Sequence, residues 1–84
     1  MIKKSIDVNI TADSQDRPAA VLVQIASQYD SKIYIELDNK KVNAKSIMGM
    51  MTIFFNKGER LVVSADGDDE ERAFNDIEKF LTKA

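Results

Sequence analysis

Two short segments hold the residues best suited to chemistry. Asn43-Ala44-Lys45-Ser46-Ile47-Met48-Gly49-Met50-Met51 puts a hydroxyl directly ahead of an apolar run, where a helix is expected to begin. A serine there has a structural use, since its oxygen can accept from a free amide of the first turn, worth about 1 kcal/mol. It also has a chemical one: a phosphoryl group on Ser46 would add about −1.5 to −2 charges beside amides that tolerate anions. The second segment, Gln15-Asp16-Arg17-Pro18-Ala19-Ala20, brings a guanidinium to the start of another helix. A cation is poorly placed at that end of a helix dipole. Either Arg17 is simply solvated, or its forked donors engage a phosphate or a partner's carboxylate. Gln15 offers hydrogen bonds only, because a carboxamide nitrogen delocalises its lone pair into the carbonyl and is no useful nucleophile.

The rest of the composition narrows the chemistry by exclusion. The 84 residues include no histidine and no cysteine, which removes the usual general base, the commonest metal ligand, thiol nucleophiles and disulfides. The expectation is a protein that is not an enzyme and needs neither cofactor nor metal. The acidic run Asp66 to Glu71 lacks the ligand spacing of a calcium loop and reads as turn and helix-start chemistry. A net charge of −2 argues against direct nucleic-acid binding, whose affinity comes largely from cationic neutralisation of phosphates. No apolar stretch approaches the roughly 20 residues that span a bilayer, and the amino end lacks a signal-type apolar core. A cytoplasmic location, away from membranes, follows as the expectation. With 44% apolar and 31% charged residues, the composition is that of an ordinary folded domain.

These residues must be positioned by the elements around them. Ile2, Ile6, Val8 and Ile10 fall on even positions, the period of a strand with one dry face, over 2–10. Asp16 is suited to cap a helix that tolerates Pro18 in its first turn and runs to about Tyr29, with Ala19, Leu22, Ile25, Ala26 and Tyr29 as its buried stripe. Ile33, Ile35 and Leu37 alternate as a second strand, and Asp38-Asn39 turns the chain into a short third strand over 40–43. Ser46 begins a short helix reaching Met51 and its neighbours. Gly58 breaks the chain before a fourth strand marked by Leu61, Val63 and Ala65. Asp66-Gly67 makes a turn, and Asp68 to Glu71 suit the positive end of a last helix whose stripe is Ala73, Phe74, Ile77, Phe80 and Leu81. The order βαββαβα predicts an α+β fold. No linker, repeat or low-complexity run divides it, so one domain is expected over 1–84.

The helix after Ser46 is apolar nearly all round and cannot be buried on every side in so small a chain. Ile47, Met48 and Met51 lie close together on one side of it, and Met50 with Ile53 or Phe54 points elsewhere. The first set is expected to form a contact patch, to which flexible, polarisable methionines are suited.

The run from Asn43 to Met51, with Asp16-Arg17-Pro18-Ala19-Ala20, resembles the two phosphorylation regions of the HPr family, small proteins of the bacterial sugar phosphotransferase system. Gln15 stands where that family has its phosphorylated histidine. The chain is most similar to the family's regulatory branch in bacilli. The resemblance implies an open-faced sandwich in which three helices cover one side of a four-stranded antiparallel sheet. It implies Ser46 as the phosphorylation site, HPr kinase/phosphorylase and a CcpA-type transcription regulator as partners, and Gln15, Arg17, Ala20, Ile47, Met48 and Met51 as contact residues. It places Arg17 near both phosphorylation positions. Asp13 and Asp16 depart from the family pattern and add negative charge beside Gln15. Three functions are weighed: a regulator switched at Ser46, a phosphocarrier, and an interaction module that is never phosphorylated. The chain is expected to be a monomer or a weak, strand-exchanged homodimer, with 11–15 as the hinge.

Overall fold

A computed structural model describes residues 1–9, 18–52 and 58–82. The elements are β1 (Ile2–Asp7), α1 (Pro18–Ser27), β2 (Lys32–Leu37), β3 (Lys40–Asn43), α2 (Ile47–Met50), β4 (Arg60–Asp66) and α3 (Glu70–Thr82). This is the expected βαββαβα order. The strands form one sheet in the order β1-β4-β2-β3, with every neighbouring pair antiparallel. The two strands most distant in sequence from their partners, β1 and β4, are zipped from Ile2↔Ala65 to Asp7↔Arg60.

Alternation sets which face is dry. Leu61, Val63 and Ala65 of β4 and Ile33 and Ile35 of β2 are fully buried, and their register brings Ile33 beside Ala65 and Ile35 beside Val63. Ile6, paired with Leu61, extends this apolar face onto β1. The helices cover it through Leu22 and Ala26 of α1, Met50 of α2, and Ala73, Phe74, Ile77 and Leu81 of α3, all buried. Phe80, Ala19, Ile25 and Tyr29, also expected in the stripes, are only partly buried and pack at the margin.

The opposite face is polar and crossed by charge pairs. Lys3 reaches over β4 to Glu36, with Nζ 3.5 Å from Oε2, and the Lys41 ammonium lies 5.0 Å from the centre of the Tyr34 ring. Arg60 pairs with Asp7, directly opposite it in register. These pairs are solvated and contribute little to stability. Lys4 is an exception to the alternation. It shares the parity of Ile2 and Ile6, and because β1 is an edge strand its ammonium lies over the rim of the core, 5.8 Å from the centre of the Phe74 ring.

Several boundaries differ from the sequence expectation. β1 ends at Asp7, but the chain stays tied beyond it, since the Val8 amide donates to the Glu59 carbonyl and the Asn9 amide to the Leu81 carbonyl. Ile10, the hinge 11–15 and the Asp16 cap lie outside the described residues. α1 stops at Ser27, and single turns carry the chain to Tyr29 through the Gln28 and Tyr29 amides. Asp66 is the last residue of β4, so the turn begins one residue later than expected. Asp38 opens the β2–β3 turn at φ 55°, and Gly58 takes φ 94°, the left-handed region that favours glycine.

The acidic run does structural work between α1 and α3. The Asp69 carboxylate accepts from the Asp30 amide at 2.9 Å, from the Ser31 amide at 3.0 Å and from the Ser31 hydroxyl. Glu70 accepts from the Gly67 amide at 3.2 Å. Ser31 is drawn so close that a Cβ on Gly67 would stand 2.7 Å from its Cα and its Oγ. The Ser31 hydroxyl, helped by the two amides, holds the Asp69 carboxyl below the ordinary carboxylate range. A carboxyl lowered on folding contributes stability above its unfolded value of about 3.9 and loses it as pH falls through the folded value. We predict that replacing Gly67 by alanine costs about 1–3 kcal/mol, read from urea denaturation; an unchanged midpoint would show that the Ser31 contact yields freely. We also predict that Asp69→Asn lowers the Tm at neutral pH and flattens its decline below about pH 4. Parallel wild-type and variant profiles would reject that linkage.

Candidate functional site

β3 delivers the chain to Ser46 along a fixed path. Asn43 ends the strand opposite Tyr34, the fully buried Ala44 donates its amide to the Ile33 carbonyl at 2.8 Å, and the Asn43 side chain accepts from the Lys45 amide at 2.8 Å. The Ser46 amide then donates to the Asn43 carbonyl at 3.0 Å. Ser46 itself is exposed and extended, at φ −99° and ψ 112°, and its Oγ accepts from the Gly49 amide at 3.3 Å. It is the N-cap the sequence called for.

The helix it caps is a single turn. α2 runs from Ile47 to Met50, and its end is closed by bonds from Met51 and Thr52 back to Ile47 and Gly49. So short an element carries little macrodipole. The dipole available to an anion at Ser46 is correspondingly small. What the turn does supply is a sorted apolar surface. Met50 is fully buried, whereas Ile47 is 44%, Met51 56% and Met48 81% exposed. The three exposed side chains share one side of the turn, as their spacing requires, with the Ser46 hydroxyl at its start. Ile53 and Phe54 lie outside the described residues.

Two contacts that sequence alone does not reveal hold this site against the rest of the fold. The Lys45 ammonium donates to the Tyr29 carbonyl at 2.6 Å, a cation closing the carboxyl end of the α1 segment. The Tyr29 hydroxyl donates in turn to the Asp76 carboxylate on α3, which pushes the phenol pKa up. Lys40 reaches the Thr52 carbonyl at 3.4 Å, a second thread from β3 to the end of the turn. Gly49 also acquires a role. A Cβ there would meet Ser46 Oγ at 3.5 Å and Val42 Cβ at 3.6 Å, ordinary contacts, so the glycine is not demanded by space. It leaves the serine oxygen uncovered. The motif had singled out Lys45 and Gly49 as letters of a pattern, without their contacts.

Of the expected contact residues, Ile47, Met48 and Met51 are exposed apolar neighbours on α2 and its C-cap, and Ala20 is half-buried in the first turn of α1. Gln15 and Arg17, with Asp13, lie outside the described residues. Among the described residues, no group of three or more acidic side chains is arranged to hold a metal ion, and no helix is long and apolar enough to cross a membrane.

The family model for the "PTS HPr component phosphorylation site" matches residues 2–83. The chain belongs to the HPr family. It is 41% identical over 83 residues to the HPr-like protein Crh of Halalkalibacterium halodurans, covering 99% of each chain. Among solved structures, the phosphocarrier protein HPr of Bacillus anthracis superposes with a TM-score of 0.86 at 36% identity, covering 95% of both chains. Crh of Bacillus subtilis superposes with a TM-score of 0.73 at 36% identity, over 99% of this chain and 95% of that one; that protein is described as a swapped dimer. The fold is thus the open-faced HPr sandwich, and the chain is a Crh-like member of a family of phosphocarrier and regulatory proteins.

Because the Ser46 cap bond is exposed and long, Ser46→Ala is expected to cost only about 0.5–1 kcal/mol, measured by chemical denaturation. A loss of several kcal/mol would mean the hydroxyl is a structural keystone and not a free group.

Proposed function

We propose that this chain is a regulatory HPr-like protein: HPr kinase/phosphorylase phosphorylates Ser46, and the modified protein binds a CcpA-type transcription regulator as corepressor in carbon catabolite repression. The observation that carries the reading is the exposed Ser46 hydroxyl beside a patch of solvent-facing Ile47, Met48 and Met51, in an HPr chain that has no histidine. A phosphate there converts a neutral rim into a dianion against apolar ground. Recognition then needs both features at once, a cation on the partner for the phosphate and an apolar surface for the methionines.

The same composition argues against a phosphocarrier. Accepting a phosphoryl group from enzyme I needs an imidazole or an equivalent nucleophile, and the carboxamide of Gln15 is neither. Arg17 and Gln15 are assigned to partner contact with Ala20, by the family pattern. The whole chain, 1–84, acts as one domain in the cytoplasm and has no catalytic role of its own. Its assembly is a monomer or a weak homodimer. β1, at the sheet edge, is the strand whose exchange would build the latter; the similar Crh of Bacillus subtilis is described as a swapped dimer.

Incubation with HPr kinase and ATP, followed by site-localising mass spectrometry, is expected to find phosphate on Ser46 and none on Ser46→Ala. Incubation with enzyme I and phosphoenolpyruvate is expected to leave no acid-labile phosphate. An unmodified Ser46 would remove the proposal in favour of a module that docks without phosphorylation, and acid-labile label would restore the carrier reading.

A further inference from the structure

The sulfur of this chain is confined to four methionines, since there is no cysteine to compete for oxidants. Their surroundings differ sharply. Met48 and Met51 are 81% and 56% exposed on the patch beside Ser46, whereas Met50, between them in sequence, is fully buried against the core. Met1 is exposed too, but it lies at the end of β1, the sheet edge opposite β3 and α2. We propose that Met48 and Met51 form a reversible oxidation site on the docking face, taking one oxygen atom each from hydrogen peroxide or a related two-electron oxygen donor.

In that step a thioether lone pair attacks a peroxide oxygen and the O–O bond breaks; the departing hydroxide takes the proton of the newly sulfur-bound hydroxyl, leaving water and a neutral sulfoxide. Sulfur is oxidised by two electrons and the peroxide reduced. Reversal returns the oxygen as water at the expense of a reductase dithiol, with one enzyme needed for each sulfoxide epimer. Access to sulfur controls the forward step, so the burial of Met50 keeps the anchor of the turn intact while its neighbours react.

The consequence lies at the surface. A thioether contributes apolar, polarisable contact area; a sulfoxide is a strong acceptor that a partner's apolar pocket cannot satisfy. Both exposed sulfurs share the side of α2 that begins at Ser46, so oxidation and phosphorylation would act on one surface with opposite effects. This part of the inference rests on the reading of that surface as the docking face.

The test uses the full chain and its Met48→Leu/Met51→Leu variant, each treated with dilute hydrogen peroxide and mapped by peptide mass spectrometry. Met48 and Met51 are expected to gain one oxygen about tenfold or more faster than Met50, with the circular-dichroism melt unchanged. Methionine sulfoxide reductases A and B with dithiothreitol are expected to remove it. After kinase treatment, the oxidised wild type is expected to bind the CcpA-type regulator about tenfold more weakly than its untreated form. The leucine variant is expected to show no loss relative to its own untreated baseline. Oxidation of Met50 at the pace of Met48, or resistance of the sulfoxides to both reductases, overturns the site; undiminished binding by oxidised protein overturns its effect. If even untreated phosphoprotein fails to bind the regulator, the docking reading fails, and the mapping and reductase results still decide the oxidation site.

Discussion

Met50 sets the direction of everything around Ser46. An α-turn advances by roughly 100° per residue, so once Met50 points into the core its neighbours have no freedom of placement. Ile47, Met51 and Met48 then lie at roughly 60°, 100° and 160° from it, all on one side. Their exposures of 44%, 56% and 81% rise in that same order. An exposed apolar patch of this kind is therefore a geometric consequence of one buried thioether in a one-turn helix. The sequence needs only enough apolar residues in the turn that some must remain in water.

A single turn does not hold itself together, because helix nucleation is unfavourable without partners. Tertiary contacts supply what propensity cannot. Upstream, Ala44 is buried and bonded to Ile33, and Lys45 is moored on the Tyr29 carbonyl. Tyr29 is held in turn by Asp76 of α3. A few residues away, Asp69 binds the Asp30 and Ser31 amides. The segment Tyr29–Ser31 is thus the crossing point of two polar tethers, one leading to the Ser46 turn and one to the start of α3.

Much of this was legible in the sequence, and the limits of legibility are physical. Leu61-Val63-Ala65 and Ile33-Ile35 announce strands because a sheet with one dry face imposes a period of two. The α3 stripe is equally plain, and Ser46 announces its cap by residue type alone. What pattern does not carry is the non-local arrangement. The order β1-β4-β2-β3 pairs the first strand with the last. The Lys45–Tyr29 and Ser31–Asp69 bonds span 16 and 38 residues, and no local signal marks either. Lys4 shows a subtler failure: its parity puts it on the core face, and only its place on an edge strand explains how a lysine is accommodated there. Gly67 reads as turn chemistry from sequence, yet the structure demands it for another reason, the closeness of Ser31.

Magnitudes decide how a change at Ser46 can act. The cap bond is exposed, 3.3 Å long and worth about 1 kcal/mol at most in such a setting. Removing a buried methionine side chain typically costs about 2–5 kcal/mol, so the turn is held by Met50 and its tethers far more than by the serine hydroxyl. A group added to that oxygen alters a minor stabilising term and leaves the major ones untouched. Signalling by unfolding would require the opposite balance. With the energy placed in Met50 and not in the Ser46 hydroxyl, the fold can keep its shape while the charge and polarity of its exposed side change.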